Sequence, residues 1–439
     1  MAFVHPQSCE CLKSELDIFS VPPTQTSIES GSYVEYNPIS SINDGSPIEF
    51  VISGTGQDYI DLANTQLYVK LDVRQADNTP IVVDSQVGPV NLLLHSLFSE
   101  VDVKLNDVLI TSTNNTYAYR AYLETLLTYG SESKSTQLSS SLYCKDTPDK
   151  MDDADPLVAT ANVGLKKRYA YISEGKTVDL LGRLHTDLFY QQKFLPNDVT
   201  IRIRLIRSKN NFCLMSATPN DNFKIHISDC KIFVRKVKLS PSVFVAHAKA
   251  LERGNAKYPL HRVVCKTFTV PRGNLDCSQE NLFSGQLPTR LVIGCVDNDA
   301  FNGNYAKNPF NFKHYNLTQL KVYLDGQQQS IRPLEPDYTN GQYINAYMTL
   351  FSGTGKQFID EGNQIHRDDY DKGYTLYAYD LTPDLGEDDH FNLIKEGNVR
   401  VDMKFGSALA NTINVIVYAE FENIIEIDRS RNVIFDYSN

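Results

Sequence analysis

The sequence predicts an all-β protein built from two tandem eight-stranded jelly-roll β-sandwiches, a double jelly roll with short helices in the connecting loops. The chain has 439 residues, which is too many for one ordinary domain. Many short segments alternate apolar and polar residues, as strands with one buried face do. The order of these segments in the first half recurs in the second half, which indicates a duplicated domain.

The composition favours strands and excludes several protein classes. The chain contains 25 Tyr and 21 Phe, and 41% of its residues are hydrophobic. Residues 271–439 hold 14 basic and 24 acidic side chains, so nearly all of the net charge of −11 lies in the second half. This acidity argues against a general nucleic-acid-binding protein, because phosphate contacts require Lys and Arg. No sequence-specific nucleic-acid binding is therefore expected.

The N-terminus, the hydropathy and the cysteines predict a chain without a signal peptide, a membrane span or a disulfide framework. The N-terminus lacks the basic and apolar regions of a signal peptide, and no apolar run approaches the length of a transmembrane segment. The eight cysteines include no CxxC pair and are few for a disulfide scaffold of this length. A reducing compartment is expected.

An extended N-terminal arm is predicted over residues 1–44. This segment is rich in Ser, Thr and Pro and shows no helical period. Its single lysine is outnumbered by six carboxylates, so we expect it to pack on protein rather than on nucleic acid. Phe19, Tyr33 and Tyr36 are its expected anchors.

The first jelly roll is predicted over residues 45–240. Residues 47–53 and 66–74 alternate like strands, and residues 100–111 form a hairpin with its turn at Asn106-Asp107. Further strands are expected at 178–184, 199–207 and 223–237.

One helix is predicted with a clear apolar stripe, over residues 117–129. The stripe follows helical spacing and consists of Tyr119, Tyr122, Leu123, Leu126 and Leu127. Arg120 and Glu124 are spaced to form an ion pair on this helix. A polar stretch follows over 131–176, and a loop of this length is functional, structured by an insertion, or disordered.

The second jelly roll is predicted over residues 258–439, after a linker at 241–257 that is expected to be helical. Residues 101–107 match 320–326 at an offset of 219, and residues 198–205 match 398–405 at an offset of 200. The other correspondences are 67–73 with 290–296, the helix at 117 with 343–351, and the loop 131–176 with 352–373. The unequal loops explain the drift in offset.

Candidate chemical sites are weak throughout the chain. Gly353–Lys356 resembles the end of a phosphate loop but lacks its first Gly and its Ser or Thr, so a Gly-rich turn is favoured. His185 and Asp187 are interpreted as structural. An acidic cluster precedes Gly373, and a solvated loop is favoured there over a Ca²⁺ site or a glycosidase pair: Asp360, Glu361, Asp368, Asp369 and Asp371. No catalytic, cofactor-binding or metal-binding residue is predicted, and the protein is not expected to be an enzyme.

A set of basic residues also has two interpretations. Arg202 and Arg204 alternate with apolar residues on one predicted strand, and a later strand adds Lys231, Arg235, Lys236 and Lys238. A solvated strand face, or salt bridges to the acidic second half, is favoured over a nucleic-acid surface.

Long motifs in both halves resemble one family of proteins. In the second half these are residues 288–303, 308–315, 373–384 and 417–435, and in the first half residues 114–130. They resemble the major capsid proteins of Polinton/Maverick elements and adintoviruses. The resemblance covers most of the chain.

The resemblance implies a double jelly-roll capsid protein, often called a hexon. Such a protein forms a homotrimer, and the six sandwiches make a pseudo-hexagonal capsomer that contacts neighbouring capsomers and penton or minor capsid proteins in an icosahedral virion shell assembled inside the host cell. The loops 131–176 and 352–373 would form the outer tower, and the arm and the tail 424–439 would lie toward the base. A carbohydrate- or receptor-binding β-sandwich protein is the alternative. Because ten carboxylates lie within 360–389, assembly is expected to improve with salt or divalent ions.

Overall fold

The computed structural model describes residues 5–42, 45–54, 56–111, 113–158, 160–218, 222–328, 333–385 and 390–435. The strands of the first half are β1 Ile28–Tyr36, β2 Ile48–Ile52, β3 Asp58–Arg74, β4 Val87–Pro89, β5 Phe98–Leu105, β6 Val108–Thr111, β7 Val178–Gly182, β8 Ile201–Arg207, β9 Leu214–Ser216 and β10 Lys224–Leu239. Those of the second half are β11 Ala256–Val270, β12 Asp276–Gln286, β13 Arg290–Asp297, β14 Leu317–Leu324, β15 Gln327–Gln328, β16 Leu376–Asp380, β17 Glu396–Phe405, β18 Ile413–Ile427 and β19 Val433–Phe435.

Short helices connect the strands. The α-helices are α1 Leu93–Ser96, α2 Tyr117–Thr128, α3 Ser131–Ser135, α4 Val163–Ile172, α5 Asp187–Tyr190, α6 Asn210–Cys213, α7 Pro241–Leu251, α8 Asn298–Asn302, α9 Ile344–Ser352 and α10 Arg367–Tyr370. Single 3₁₀ turns occur at Ser14–Leu16, Gln137–Ser141 and Ser173–Gly175. The helix predicted over 117–129 is confirmed as α2, and α7 lies within the predicted linker.

The first sandwich consists of two antiparallel four-stranded sheets. Their strand orders are β1-β10-β3-β7 and β2-β8-β5-β6. In β8, Ile201, Ile203 and Leu205 are buried, whereas Arg202 and Arg204 point to solvent. This alternation places one face of each sheet in the core between them.

The second sandwich repeats the order and connections of these eight strands, whereas the small β4–β9 sheet of the first half has no counterpart among the described residues of the second. Its sheets have the orders β11-β18-β13-β16 and β12-β17-β14-β15, and β19 pairs with the end of β18. The equivalent hairpins β5–β6 and β14–β15 turn through Asn106-Asp107 and Asp325-Gly326, all with positive φ, which is typical of the two-residue type I′ turn. The predicted double jelly roll and its internal repeat are confirmed.

The two sandwiches share one core. Their buried apolar side chains form a single continuous cluster that extends from Ile48 in the first to Ile427 in the second. Helix α2 lies between the hairpin β5–β6 and strand β7, and helix α9 lies between the hairpin β14–β15 and strand β16. The two helices therefore occupy equivalent positions in the repeat. The polar stretch 131–176 contains α3 and α4, so it is structured by an insertion.

The predicted arm is shorter than expected, because β1 lies within residues 1–44. This strand pairs along its length with β10 and starts the first sandwich at Ile28. It is an edge strand with mostly exposed residues, so its sequence lacks the alternation that would have revealed it. Tyr36 packs against the core, but Tyr33 is 53% exposed and Phe19 is 93% exposed in the single chain.

Candidate functional site: the junction of the two sandwiches

Helix α2 lies at the centre of the junction between the sandwiches. Nearly every residue from Tyr117 to Leu127 is buried, although the sequence shows an apolar stripe on one side only. Tyr119 and Tyr122 of the stripe meet aromatic rings of the second sandwich, whereas Tyr117, outside the stripe, meets His95 of the first, so the helix is covered from both sides. The covering residues of the second sandwich lie in the β13–β14 connection and on the β11-β18-β13-β16 sheet.

Aromatic rings fill the first part of this contact. Tyr122 stacks on Phe310 with ring centroids 4.2 Å apart, and Tyr119 stacks on Phe301 at 5.5 Å. Both phenylalanines belong to the β13–β14 connection. Tyr119, Tyr122 and Phe310 are buried and Phe301 is partly buried, and such stacked rings contribute both apolar burial and a preferred geometry at the junction.

A buried ion network forms the second part. Arg120 Nε lies 2.8 Å from Glu124 Oε1, as the spacing predicts, and Arg120 Nη2 lies 2.7 Å from Asp187 Oδ1. Asp187 Oδ1 also accepts a hydrogen bond from the backbone N–H of Val263 on β11, at 3.1 Å. His185 Nδ1 lies 2.6 Å from Glu124 Oε2. His185 and Asp187 thus belong to one network at the junction, with His185 next to Glu124 and Asp187 paired with Arg120.

The charges of this network favour the ionised form of Glu124. Burial alone would raise the pKa of Glu124, but the charges and hydrogen bonds of Arg120 and His185 lower it to about 2. Burial also lowers the pKa of the adjacent His95 well below its ordinary value. A cleft of about 680 Å³ opens beside the network, with Arg290 and Glu420 of the second sandwich among its lining residues. The arrangement joins two domains through charge-assisted hydrogen bonds.

A second buried ion pair joins the long loop of the first sandwich to the second sandwich. Arg168 Nη2 lies 2.7 Å from Asp146 Oδ1, and neither side chain is exposed. Arg168 also donates to the backbone oxygens of Pro89 and Cys144. Asp146 accepts hydrogen bonds from Asn308 Nδ2 and, at its backbone oxygen, from the Tyr374 hydroxyl. The sequence did not single out Arg168, because nothing distinguishes it from the two exposed lysines before it.

The two long loops pack directly on one another. Lys134 Nζ donates to the backbone oxygens of Leu126 and Asn363, at 2.7 and 2.6 Å. Burial, and then the charges of neighbouring lysines, lower the pKa of Lys134 to about 7. Gly373 has φ +107° and a Cβ there would lie 2.2 Å from Met151 Sδ, so only glycine permits this approach.

The acidic cluster does not converge. Asp369 pairs with Lys145 at 2.6 Å, whereas Asp360, Glu361 and Asp368 are exposed. Within the described part of the chain no three His, Cys, Asp or Glu residues form a group that could hold a metal ion. Residues 386–389 of the acidic segment lie outside the described residues. Gly353–Lys356 forms the turn after α9, with Gly355 at φ +68°.

Several basic residues of β8 and β10 form salt bridges within the first half, and not with the acidic second half as one interpretation predicted. Arg202 pairs with Asp107, Lys231 with Glu35 and Lys238 with Glu29, all carboxylates of the first half. Cross-strand pairing within a sheet brings these charges together. All eight cysteines are free, with Cys9 and Cys11 exposed.

Comparisons with known proteins show the fold. No family model matches the chain. An uncharacterized protein of Caenorhabditis elegans is 26% identical over 433 residues, which cover 95% of this chain and 99% of the worm protein. A chain in the cryo-EM structure of the Sputnik virophage superposes with a TM-score of 0.66 and 11% identity, over 99% of this chain and 94% of that one.

Two further solved structures share the architecture. The mavirus major capsid protein superposes with a TM-score of 0.55 and 12% identity, over 99% of this chain and 95% of its own. The PBCV-1 virus capsid contains a chain that superposes with a TM-score of 0.58 and 13% identity, over 96% of this chain and 100% of that one. The described part of this protein contains no helix long and apolar enough to cross a membrane.

Proposed function

We propose that this protein is a major capsid protein that forms a homotrimer, and that the trimer is the pseudo-hexagonal capsomer of an icosahedral virion shell. One observation carries the proposal: two sandwiches with the same strand order are joined rigidly through one core. Three such chains provide six nearly equivalent units, which is what a six-sided tile requires. The full-length superposition on virophage and virus capsid structures supports this role.

We propose more specifically that it is a capsid protein of the type found in Polinton/Maverick elements and adintoviruses. The motifs at 288–303 and 373–384 support it, and so does the full-length relative in an animal, the nematode. A relative encoded in an animal genome favours an element carried by animals over a free virus of microbes.

The structure suggests a role for each end of the sandwiches. The loops 131–176 and 352–373 pack together through Lys134 and Lys145, so they fit one outer tower. Arg431 in the tail donates to the side chain of Asn197 in the first sandwich at 2.7 Å, which ties the tail to both domains. The arm before β1 is exposed, so we propose that it contacts neighbouring capsomers and penton or minor capsid proteins.

The oligomeric state of the purified chain tests the proposal. We expect a mass three times the 49.5 kDa of one chain, and threefold particles in electron micrographs. We also expect light scattering from assembled material to increase with ionic strength, because salt screens the acidic outer loops. A chain that stays monomeric at high concentration would overturn the assignment. In that case, binding on a glycan array would favour the carbohydrate-binding alternative.

A further inference from the structure

Because the chain is an internal repeat, the contact between a helix of one sandwich and the other sandwich could form twice, but one chain forms it only once. One helix and one sheet therefore remain without this contact. Within the chain, α2 of the first sandwich packs on the second sandwich: Tyr122 stacks on Phe310 of the β13–β14 connection, and the Tyr418 hydroxyl of β18 lies 3.5 Å from Glu124 Oε1. The equivalent helix of the second sandwich is α9, and the equivalent sheet of the first is β1-β10-β3-β7. A second copy of the chain can bring these two remaining halves together.

Helix α9 presents an apolar surface of the kind that this contact needs. Ala346 and Leu350 are buried against its own sandwich. Ile344 and Met348, one helical turn apart, are 42% and 36% exposed. The corresponding helix α2 has no such exposed apolar pair among its described residues, because the second sandwich covers it.

The matching sheet differs from its covered equivalent. Ile413 to Ala419 of β18 are all buried, so both faces of that sheet are covered. In β10 of the first sandwich, buried residues alternate with partly exposed ones. Its outer face carries aromatic residues, with Tyr68 and Phe233 5.9 Å apart and Tyr33 on the neighbouring strand, and aromatic side chains are enriched in protein interfaces.

The charges of the two surfaces differ. Strand β10 carries five basic residues against one acidic residue, and three of the five pair with carboxylates of the neighbouring strands β1 and β3. The segment that follows α9, residues 357–371, carries five carboxylates against one arginine. A contact of this acidic segment with its own copy would bring like charges together, which favours the sheet as the partner of α9.

We propose that α9 of one copy docks through Ile344 and Met348 on the outer face of the β1-β10-β3-β7 sheet of the next copy, around Tyr68 and Phe233. The contact is head to tail, and it repeats between chains the junction that α2 makes within a chain. This inference rests on the proposed homotrimer and names the surface that closes it. Every sandwich in the ring then contacts the next one in the same way.

Two substitutions test the surface. Met348→Asp on α9 should reduce the mass in light scattering from three chains to one, at a concentration where the parent chain is fully trimeric. Val245→Asp, at a 50% exposed apolar position on α7, is the matched control and should remain trimeric. The circular dichroism spectra of both variants should match that of the parent, because both positions are exposed in the single chain. The thermal midpoint should match only for Val245→Asp, because Met348→Asp loses the stabilisation that assembly provides.

A mixing experiment tests the direction of the contact. Tyr68→Asp should also give single chains, because it blocks the sheet. A mixture of Met348→Asp and Tyr68→Asp chains retains one intact helix and one intact sheet, and should form a dimer but no trimer. A trimeric parent with a trimeric Met348→Asp variant would overturn this surface and leave the capsid assignment standing, whereas a monomeric parent would overturn the assignment. Loss of glycan binding by a Tyr68→Asp chain that remains trimeric would overturn the surface in favour of a carbohydrate site.

Discussion

Replacing Lys134 by methionine tests the contact between the two long loops. Lys134 is 2% exposed, and its ammonium group donates to the backbone oxygens of Leu126 and Asn363. Burial, followed by the charges of Lys356 and Lys145, lowers its pKa from 10.5 to about 7. The folded chain therefore releases this proton at a pH where the unfolded chain still holds it.

The sign and size of the effect follow from proton linkage. Between the two pKa values the unfolded state binds more protons, so the free energy of unfolding rises with pH by about 1.4 kcal/mol per unit. From about pH 7 to about pH 8.5 this residue should contribute a rise of roughly 2 kcal/mol. Below the folded-state pKa of Lys134 both the folded and the unfolded chain hold the proton. The contribution of this residue to the free energy of unfolding is then constant. The Lys134→Met chain should lack this rise.

Urea unfolding of both chains across this pH range measures the difference. The free energy of unfolding of the parent minus that of the variant should increase with pH, whatever other groups contribute to both. Lys166→Met, on the exposed side of α4, is the control and should follow the parent. Parallel pH profiles for the parent and Lys134→Met would refute the reasoning that burial displaces this proton.

Three further predictions concern the junction and the thiols. Arg168→Met should lower the free energy of unfolding by about 3–5 kcal/mol in urea titrations, because it leaves a buried carboxylate without its partner; a change of a few tenths would contradict this. Tyr122→Ala should cost about 3–5 kcal/mol, and calorimetry should show the two sandwiches unfolding separately once the stack on Phe310 is lost; a single unchanged transition would contradict the role of the stack. In the folded chain, Cys9 and Cys11 should react rapidly with a thiol reagent and the buried cysteines only after unfolding, without any reductant; slow reaction of both would show that the arm is covered.

The sequence predicted the elements that have one buried face. The alternation in Ile201 to Leu205 reports burial on one side of β8, and the Asn106-Asp107 dipeptide reports a turn, so both were found. Strands in which apolar and polar residues do not alternate could not be predicted in this way. The exposed edge strand β1 shows no alternation, and β18 is apolar on both faces.

The junction could not be predicted from local patterns, because its partners are far apart in the chain. The spacing of Arg120 and Glu124 reveals an ion pair on a helix, but not that Asp187 completes it. A periodic stripe shows that Tyr122 is buried without showing that Phe310, 188 residues later, lies on it. The duplication was visible because it preserves the order of whole segments.

The two-sided burial of the β11-β18-β13-β16 sheet has a consequence for translation. A ribosome completes the first half before β18 emerges, so α2 and its surroundings are already synthesised when the last long strand appears. A fragment beginning near residue 256 would present its apolar outer sheet to water and should precipitate, whereas a fragment ending near residue 254 would expose mainly one helix. Gene truncations that spare the 5′ half should therefore yield the more soluble remnant.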